Sequence, residues 1–299
     1  MSLIKAEKIS YTYPVREDDE FDAGAKEKTQ EPASEPDKAI SDVSLEIEAG
    51  QFVCILGRNG SGKSTFARHL NALIVPDEGT LWIDGMNSRD QEKIWQIRSM
   101  VGMVFQNPDN QIVASVVEED VAFGPENIGM PTDVMRERIS SSLEAVHMGE
   151  YAKASPNSLS GGQKQRIAVA GILAMQPKSI VLDESTSMLD PRGRAEVMST
   201  VKRLNREQGI TVISITHYMD EALDADKIFV MDKGSVIMEG TPKEIFMRPE
   251  EIEKAGLRLP EICSLASRLY RSGCGVAKGI FSREELKEAI LKLKDEHKA

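Results

Sequence analysis

Gly57-Arg58-Asn59-Gly60-Ser61-Gly62-Lys63-Ser64 is the stretch on which the reading of this chain turns. It fits the pattern G-x-x-x-x-G-K-[ST]. An apolar run, Phe52–Leu56, precedes it, and a helical pattern over Ser64–Ala72 follows. That order is strand, phosphate loop, helix. The glycines let successive backbone N–H groups turn inward around phosphate oxygens. Lys63 adds a point charge at the β and γ phosphates, and the Ser64 hydroxyl suits Mg²⁺. Ser64 and Thr65 stand at the helix start, where anions are favoured. An ordinary strand-to-helix turn requires none of this chemistry.

Working outward, Ser179-Ile-Val-Leu-Asp-Glu184 is an apolar strand that ends in two acids. A buried parallel strand delivers its last residues to the carboxyl edge of its sheet, where ligands bind. Asp183 there would complete a magnesium shell. Glu184, one residue on, would face the space beyond the γ-phosphate and could polarise a water for in-line attack. Two acids after a strand are weak evidence alone; behind a phosphate loop they are strong.

Leu159-Ser-Gly-Gly-Gln-Lys-Gln-Arg166 poses a different question. It is a second glycine-permissive loop, and it opens into the apolar helical run Ile167–Ala174. Ser160 and the N–H groups of Gly161 and Gly162 stand where partial positive charge again favours a phosphate. One nucleotide-binding domain has no evident use for two such loops.

The motif set resolves this. "LSGGQKQR" between Gly57–Ser64 and "IVLDE" resembles the signature of ATP-binding-cassette (ABC) ATPases. The resemblance implies that two cassettes pair head to tail, and that Ser160, Gly161, Gly162 and Gln163 close over the ATP held by the other chain's phosphate loop. ATP then joins the chains and hydrolysis releases them. The same resemblance assigns further residues. Tyr13, in "SYTYP", aligns with the aromatic that stacks on adenine. Gln106 aligns with a glutamine that reaches the magnesium and the attacking water. Ser187-Met-Leu-Asp190 aligns with a loop that crosses the dimer, which brings Asp190 to the nucleotide. His217, ending "ITVISITH", aligns with a histidine that contacts the γ-phosphate. Alone, Tyr13 in a strand reads as packing and His217 at a strand end as structural; their order in the set favours the functional reading. The implied fold is an α/β P-loop cassette with a mainly parallel RecA-like sheet, an antiparallel β subdomain and an inserted helical subdomain. The resemblance covers roughly Leu3 to Arg248.

Within that family, Val104–Gln111, Val117–Pro131 and "DESTSMLDPRGR" (Asp183–Arg194) are similar to the ATPases of energy-coupling factor (ECF) transporters, the CbiO-like group. "SGGQKQR" and "STSMLD" look like the first of its two ATPase types. The implied partners are a second, paralogous or identical, ATPase, a transmembrane T component and a substrate-capturing S component. The implied activity is ATP hydrolysis that powers uptake of vitamins or transition-metal ions, at the cytoplasmic face of the membrane. Another ABC importer, or a cassette ATPase with no transport role, is the alternative. Translation-factor cassettes carry two copies per chain, and only one phosphate loop occurs here. DNA-repair cassettes place long coiled coils between Gly57 and Leu159, and that interval is too short.

Bulk composition agrees. The chain has 299 residues, 40% hydrophobic and 28% charged, with net charge −11. That balance argues against a nucleic-acid partner. No apolar run approaches the ~20 residues needed to span a bilayer, and the first residues lack a signal-peptide pattern. Cys54 reads as a small buried apolar residue, and Cys263 and Cys274 lack metal-ligand spacing.

Period-two and all-apolar runs predict strands at Leu3–Tyr11, Val43–Ile47, Gln51–Leu56, Thr80–Ile83, Val101–Phe105, Ser179–Leu182, Thr211–Ile215, Ile228–Met231 and Ser235–Glu239. Helices are expected to start near Lys63, Thr132, Ser160, Pro191, Met219 and Pro242. Residues 1–248 form the expected nucleotide-binding domain, with a helical lobe over about 107–165, and 249–299 form a C-terminal extension. In that extension "SREE" (Ser282–Glu285) is a capping box. Leu286, Ala289, Ile290 and Leu293 mark one apolar face of the helix behind it, docked on the main body or used in oligomerisation. Arg16–Asp37 carries nine acidic and three basic residues. With so little apolar content it reads as a mobile acidic loop, longer than the family normally has there.

Overall fold

The computed structural model describes residues 2–14, 38–276 and 279–296; the acidic segment Arg16–Asp37 lies outside them. In chain order the strands are β1 Ser2–Tyr11, β2 Ile40–Glu48, β3 Phe52–Gly57, β4 Glu78–Ile83, β5 Met86–Asn87, β6 Val101–Val104, β7 Ser179–Asp183, β8 Thr211–Thr216, β9 Lys227–Asp232 and β10 Ser235–Gly240. The α-helices are α1 Lys63–Leu70, α2 Ile94–Met100, α3 Val117–Asn127, α4 Thr132–Ala145, α5 Gly161–Ala174, α6 Pro191–Gln208, α7 Pro242–Phe246, α8 Pro249–Lys254, α9 Glu261–Arg271 and α10 Arg283–Glu296.

Two sheets result. One has four strands in the order β2-β1-β4-β5, antiparallel throughout. The other has six in the order β10-β9-β3-β8-β7-β6, parallel except for the β9–β10 pair. Every residue of β3, β7 and β8 is buried, as expected of parallel strands covered on both faces.

The pleat divides those strands between two interiors. Cys54, Leu56, Ile180, Leu182, Val212, Ile228 and Val230 pack with α3, α4, α5 and α6. Val53, Ile55, Val181, Ile213, Ile215, Phe229 and Met231 pack with α1 and with the antiparallel sheet. The sheet register then sets the motifs. Leu56 pairs with Thr216, and Asp183 with Ile215. The phosphate loop, Glu184 and His217 therefore emerge within a residue or two of each other at one carboxyl edge.

Helix ends follow local chemistry. Gly62 precedes α1 at φ 96°, and a Cβ there would stand 2.6 Å from the Ala39 carbonyl oxygen, so only glycine fits. Asp190 caps α6, Pro191 takes its first position, and Gly209 ends it in a left-handed turn.

Four expectations need correction. The helix expected from Met219 is a 3₁₀ turn, Met219–Asp224. The strand expected over Val101–Phe105 stops at Val104, because the Phe105 backbone turns to side-chain partners: its N–H donates to Gln111 and its carbonyl accepts from Gln165. Three helices, α2, α8 and α9, and the short strand β5 were not anticipated. The helix behind "SREE" packs chiefly on α9, through a small separate core of Ala266, Val276, Ile280 and Leu286. Its capping box is present, with the Glu285 N–H donating to Ser282 Oγ at 3.1 Å and the Ser282 N–H to Glu285 Oε2 at 3.3 Å. Ile290 turns outward, half-exposed, while Leu286, Ala289 and Leu293 face α9.

Candidate functional site

At the carboxyl edge of the parallel sheet lies an open cleft of about 340 Å³. Asn59, Gly60, Gly62, Lys63, Ser64, Thr65, Gln106, Asp183 and Glu184 line it. These residues come from three separate stretches of chain. Gly57 and Arg58 contribute backbone, each carbonyl accepting from Lys63 Nζ at 2.9 Å. Ser61, within the loop, has a buried hydroxyl with no hydrogen-bond partner among the described residues.

Lys63 is only 4% exposed, and burial pulls its ammonium below the usual lysine range. Besides the two loop carbonyls it reaches Glu184 Oε1 at 3.6 Å. An ammonium held by weak neutral acceptors and one carboxylate is ready to turn to a phosphate, which offers more charge.

Ser64 Oγ donates to Asp183 Oδ1 at 2.8 Å. Burial raises the Asp183 carboxyl above its ordinary value, opposed chiefly by that hydrogen bond. Hydroxyl, carboxylate and the nearby Gln106 amide form a set of hard oxygen donors, and a partly desolvated carboxylate gains from a cation beside it. The residues present therefore fit a small divalent metal. Gln106 is held from the other side, its Nε2 donating to Ser187 Oγ at 3.1 Å.

Glu184 adopts φ 48°, in the left-handed region, which a residue with a Cβ enters at a cost of about 1–3 kcal/mol unless its surroundings enforce it. Here they do. Its N–H donates to the Ile215 carbonyl at 2.9 Å, and its carbonyl accepts from the Ser187 N–H at 3.0 Å and Oγ at 2.8 Å. The turn aims the carboxylate between Lys63 and His217, whose Nδ1 lies 3.7 Å from Glu184 Oε2.

Tyr13 stands beside the cleft. Its hydroxyl is 3.3 Å from Thr65 Oγ1 and accepts from Arg68 at 3.2 Å, and its ring meets Tyr11 edge-on at 5.1 Å. It is 42% exposed, a free aromatic surface at the rim.

Ser160, Gly161, Gly162, Gln163 and Asp190 do not join this cleft. They line a second one of about 510 Å³, together with Arg166, Met188, Arg192 and Gly193. Ser160 and Gln163 form a reciprocal cap on α5: the Gln163 N–H donates to Ser160 Oγ at 3.3 Å and the Ser160 N–H to Gln163 Oε1 at 2.9 Å. Asp190 Oδ1 accepts from the Gly193 N–H at 2.8 Å. Within one chain, then, the second loop and the phosphate loop border different spaces.

Sequence reasoning gave no role at the first cleft to Ser187 and Arg68, which hold Gln106 and Tyr13, and none to the stacked pair Tyr218 and Arg194, which line neither cleft. Ser187 sits inside a quoted motif but carries no chemical signal of its own. Tyr218 and Arg194 are 24 positions apart in sequence, and only the fold stacks them.

A family model described as ABC transporter matches residues 40–187. The energy-coupling factor transporter ATP-binding protein EcfA1 of Clostridium perfringens is 51% identical over 293 residues, 98% of this chain and 99% of that protein. EcfA1 of Clostridioides difficile is 51% identical over 249 residues, 83% of this chain and 90% of that one. Among solved structures, cbiO1 of Clostridium perfringens, described as part of the ABC transporter complex cbiONQ, superposes with TM-score 0.72 at 35% identity. It covers 89% of this chain and 99% of its own. A dimeric ATP-binding cassette in a post-hydrolysis state, bound to ADP and Pi, superposes with TM-score 0.67 at 31% identity, over 80% and 98% of the two chains.

Proposed function

The chain belongs to the ABC transporter family of ATPases, and from that premise we propose that it is the ATP-binding and ATP-hydrolysing subunit of an ECF transporter, powering uptake of vitamins or transition-metal ions. The carrying observation is the pair of clefts: one chain offers a phosphate loop in one place and a signature loop in another. A half-site of each kind calls for a second cassette. No helix among the described residues is long and apolar enough to cross a membrane, so contact with the bilayer runs through the T and S components.

In this reading the loop from Gly57 to Thr65 binds the phosphates and Lys63 turns from Gly57 and Arg58 to the β and γ oxygens. Tyr13 stacks on the adenine. Ser64, Asp183 and Gln106 are the residues that would hold Mg²⁺, which when bound neutralises phosphate charge. Glu184 accepts a proton from the attacking water, in the orientation that Ile215 and Ser187 impose. His217 faces the γ-phosphate. Ser160, Gly161, Gly162, Gln163 and Asp190 face the nucleotide of the second chain, the Ser160 hydroxyl and the helix N–H groups meeting its γ-phosphate. In the same reading residues 1–248 bind nucleotide, about 107–165 form the lobe that meets the T component, and 249–299 are the extension.

Purification from solubilised membranes tests the reading. A second cassette, a T component and a small S component are expected to co-purify. A chain recovered alone, and still monomeric with ATP under non-hydrolysing conditions, would refute it.

The Asp183 carboxyl gives a further prediction. Its folded pKa lies above the ordinary 3.8, so the folded state binds the proton more tightly than the unfolded one. At neutral pH its ionised form therefore costs stability, and the cost is relieved as pH falls through the folded pKa. Asp183→Asn removes the charge and keeps an acceptor for Ser64. The ligand-free variant is expected to melt above the parent at pH 7, the difference shrinking on acidification. It should also lose the extra melting shift that Mg²⁺ adds to ATP. An unchanged magnesium shift would remove Asp183 from the metal site.

A further inference from the structure

Three side chains outside the roles just described, or only partly inside them, form one continuous stack. Arg194 lies in the first turn of α6, and its N–H donates to the Asp190 carbonyl at 2.9 Å. Its guanidinium carbon stands 3.3 Å from the centroid of the Tyr218 ring. The Tyr218 ring lies 4.2 Å from the His217 ring at an interplanar angle of 35°. His217 in turn reaches Glu184.

Simple packing would explain an arginine over a ring. Two observations argue for more. Arg194 enters no ion pair among the described residues, and its Nε is buried with no hydrogen-bond partner among them, in a chain of net charge −11; Glu196, on the same helix, pairs instead with Arg166 and Arg192. A guanidinium kept off carboxylates and laid on an aromatic face gains cation–π attraction only while that geometry holds. The stack also joins two particular places. One end is fastened to Asp190, in the wall of the second cleft. The other end touches the carboxylate of the first.

We infer that Arg194 and Tyr218 are positioning residues that carry the state of the second cleft to His217 in the first. The inference rests on the reading that the second cleft meets a partner's nucleotide and that His217 faces the γ-phosphate. When the first turn of α6 is drawn toward a nucleotide in the second cleft, Arg194 moves with it. The Tyr218 ring follows the cation, and His217 is set against the ring. Each chain's hydrolytic geometry then depends on whether its own signature edge is engaged.

The test is steady-state ATP hydrolysis by the full chain co-purified with its membrane partners. Tyr218→Leu and Arg194→Met are each expected to lower kcat about ten-fold and leave KM for ATP within about two-fold, the size a partly desolvated cation–π contact supports. Because the residues act as one unit, the double variant should be no worse than either single one, whereas independent effects would multiply to about a hundred-fold. Tyr218→Phe and Arg194→Lys, which keep a ring and a cation, should recover most of the rate lost in Tyr218→Leu and Arg194→Met. Unchanged kcat in both disruptive variants, or multiplying effects, overturns the inference. Should Tyr218→Leu fail to fold, Arg194→Met against Arg194→Lys decides alone. His217→Ala is the control: wild-type turnover there would sink the underlying reading of the site, while its loss beside unaffected stack variants would sink only the stack.

Discussion

Glu184→Gln is expected to cut ATP turnover by about 10²–10⁴-fold, the usual worth of a general base, while nucleotide binding survives. The substitution changes charge and little else. Glutamine is isosteric with glutamate, and the backbone bonds to Ile215 and Ser187 that hold position 184 in its left-handed turn do not involve the side chain. What disappears is the acceptor for the proton of the attacking water, together with the ion pair to Lys63. With hydrolysis stopped and binding intact, two half-sites stay closed on their nucleotides. Size-exclusion chromatography of the variant with ATP should show a stable dimer of cassettes that the parent forms only transiently. Turnover near the parental rate would transfer the catalytic role to another group, with His217 the first candidate.

Lys63→Ala should act one step earlier, by removing affinity itself. The ammonium is buried among loop carbonyls that are weak acceptors, so it contributes little there beyond filling the loop. Against two phosphates it makes charge-assisted bonds worth about 1.5–3 kcal/mol each. Losing two predicts a fall in ATP affinity of about 10²-fold or more. Titration with a fluorescent ATP analogue reads this directly. The fold should persist, since α1 is anchored by Phe66, Ala67 and Leu70, all fully buried. Unaltered affinity in a folded variant would mean that the loop binds something other than a phosphate. The two variants separate cleanly: one binds without turning over, the other does not bind.

Much of this site was legible in the sequence, and for a physical reason. Fully buried parallel strands write themselves as short apolar runs, and their ends must open onto the carboxyl edge. Once Phe52–Leu56, Ser179–Leu182 and Thr211–Ile215 are recognised as such strands, Lys63, Asp183 and His217 are already near one another. The signals failed where structure depends on partners distant in sequence. Nothing local announces that Glu184 adopts a left-handed turn, because the Ile215 carbonyl that holds it belongs to another strand. The Val101–Phe105 strand is cut short by Gln165, sixty positions on. The short helix α2 has no side-chain cap and leaves Trp95 71% exposed, so only Ile94 and Ile97 mark its buried face. The 3₁₀ turn at Met219–Asp224 carries a helical pattern, yet its bonds close three residues back, the Ala225 N–H on the Ala222 carbonyl, and the backbone is extended at Ala225. Ile290 fits the apolar spacing of its helix but faces outward, because the small core on α9 is filled before reaching it.

The division of β3 between two interiors has an evolutionary corollary. Cys54 and Leu56 face one way and Val53 and Ile55 the other. An inserted codon between Phe52 and Leu56 would invert that assignment for every residue after it. It would also advance Lys63 along the sheet by about 3.3 Å, one strand residue. Both failures arise from the same event, so the reading frame of this strand is locked to that of the loop it carries. Indels in descendants of this chain must fall elsewhere.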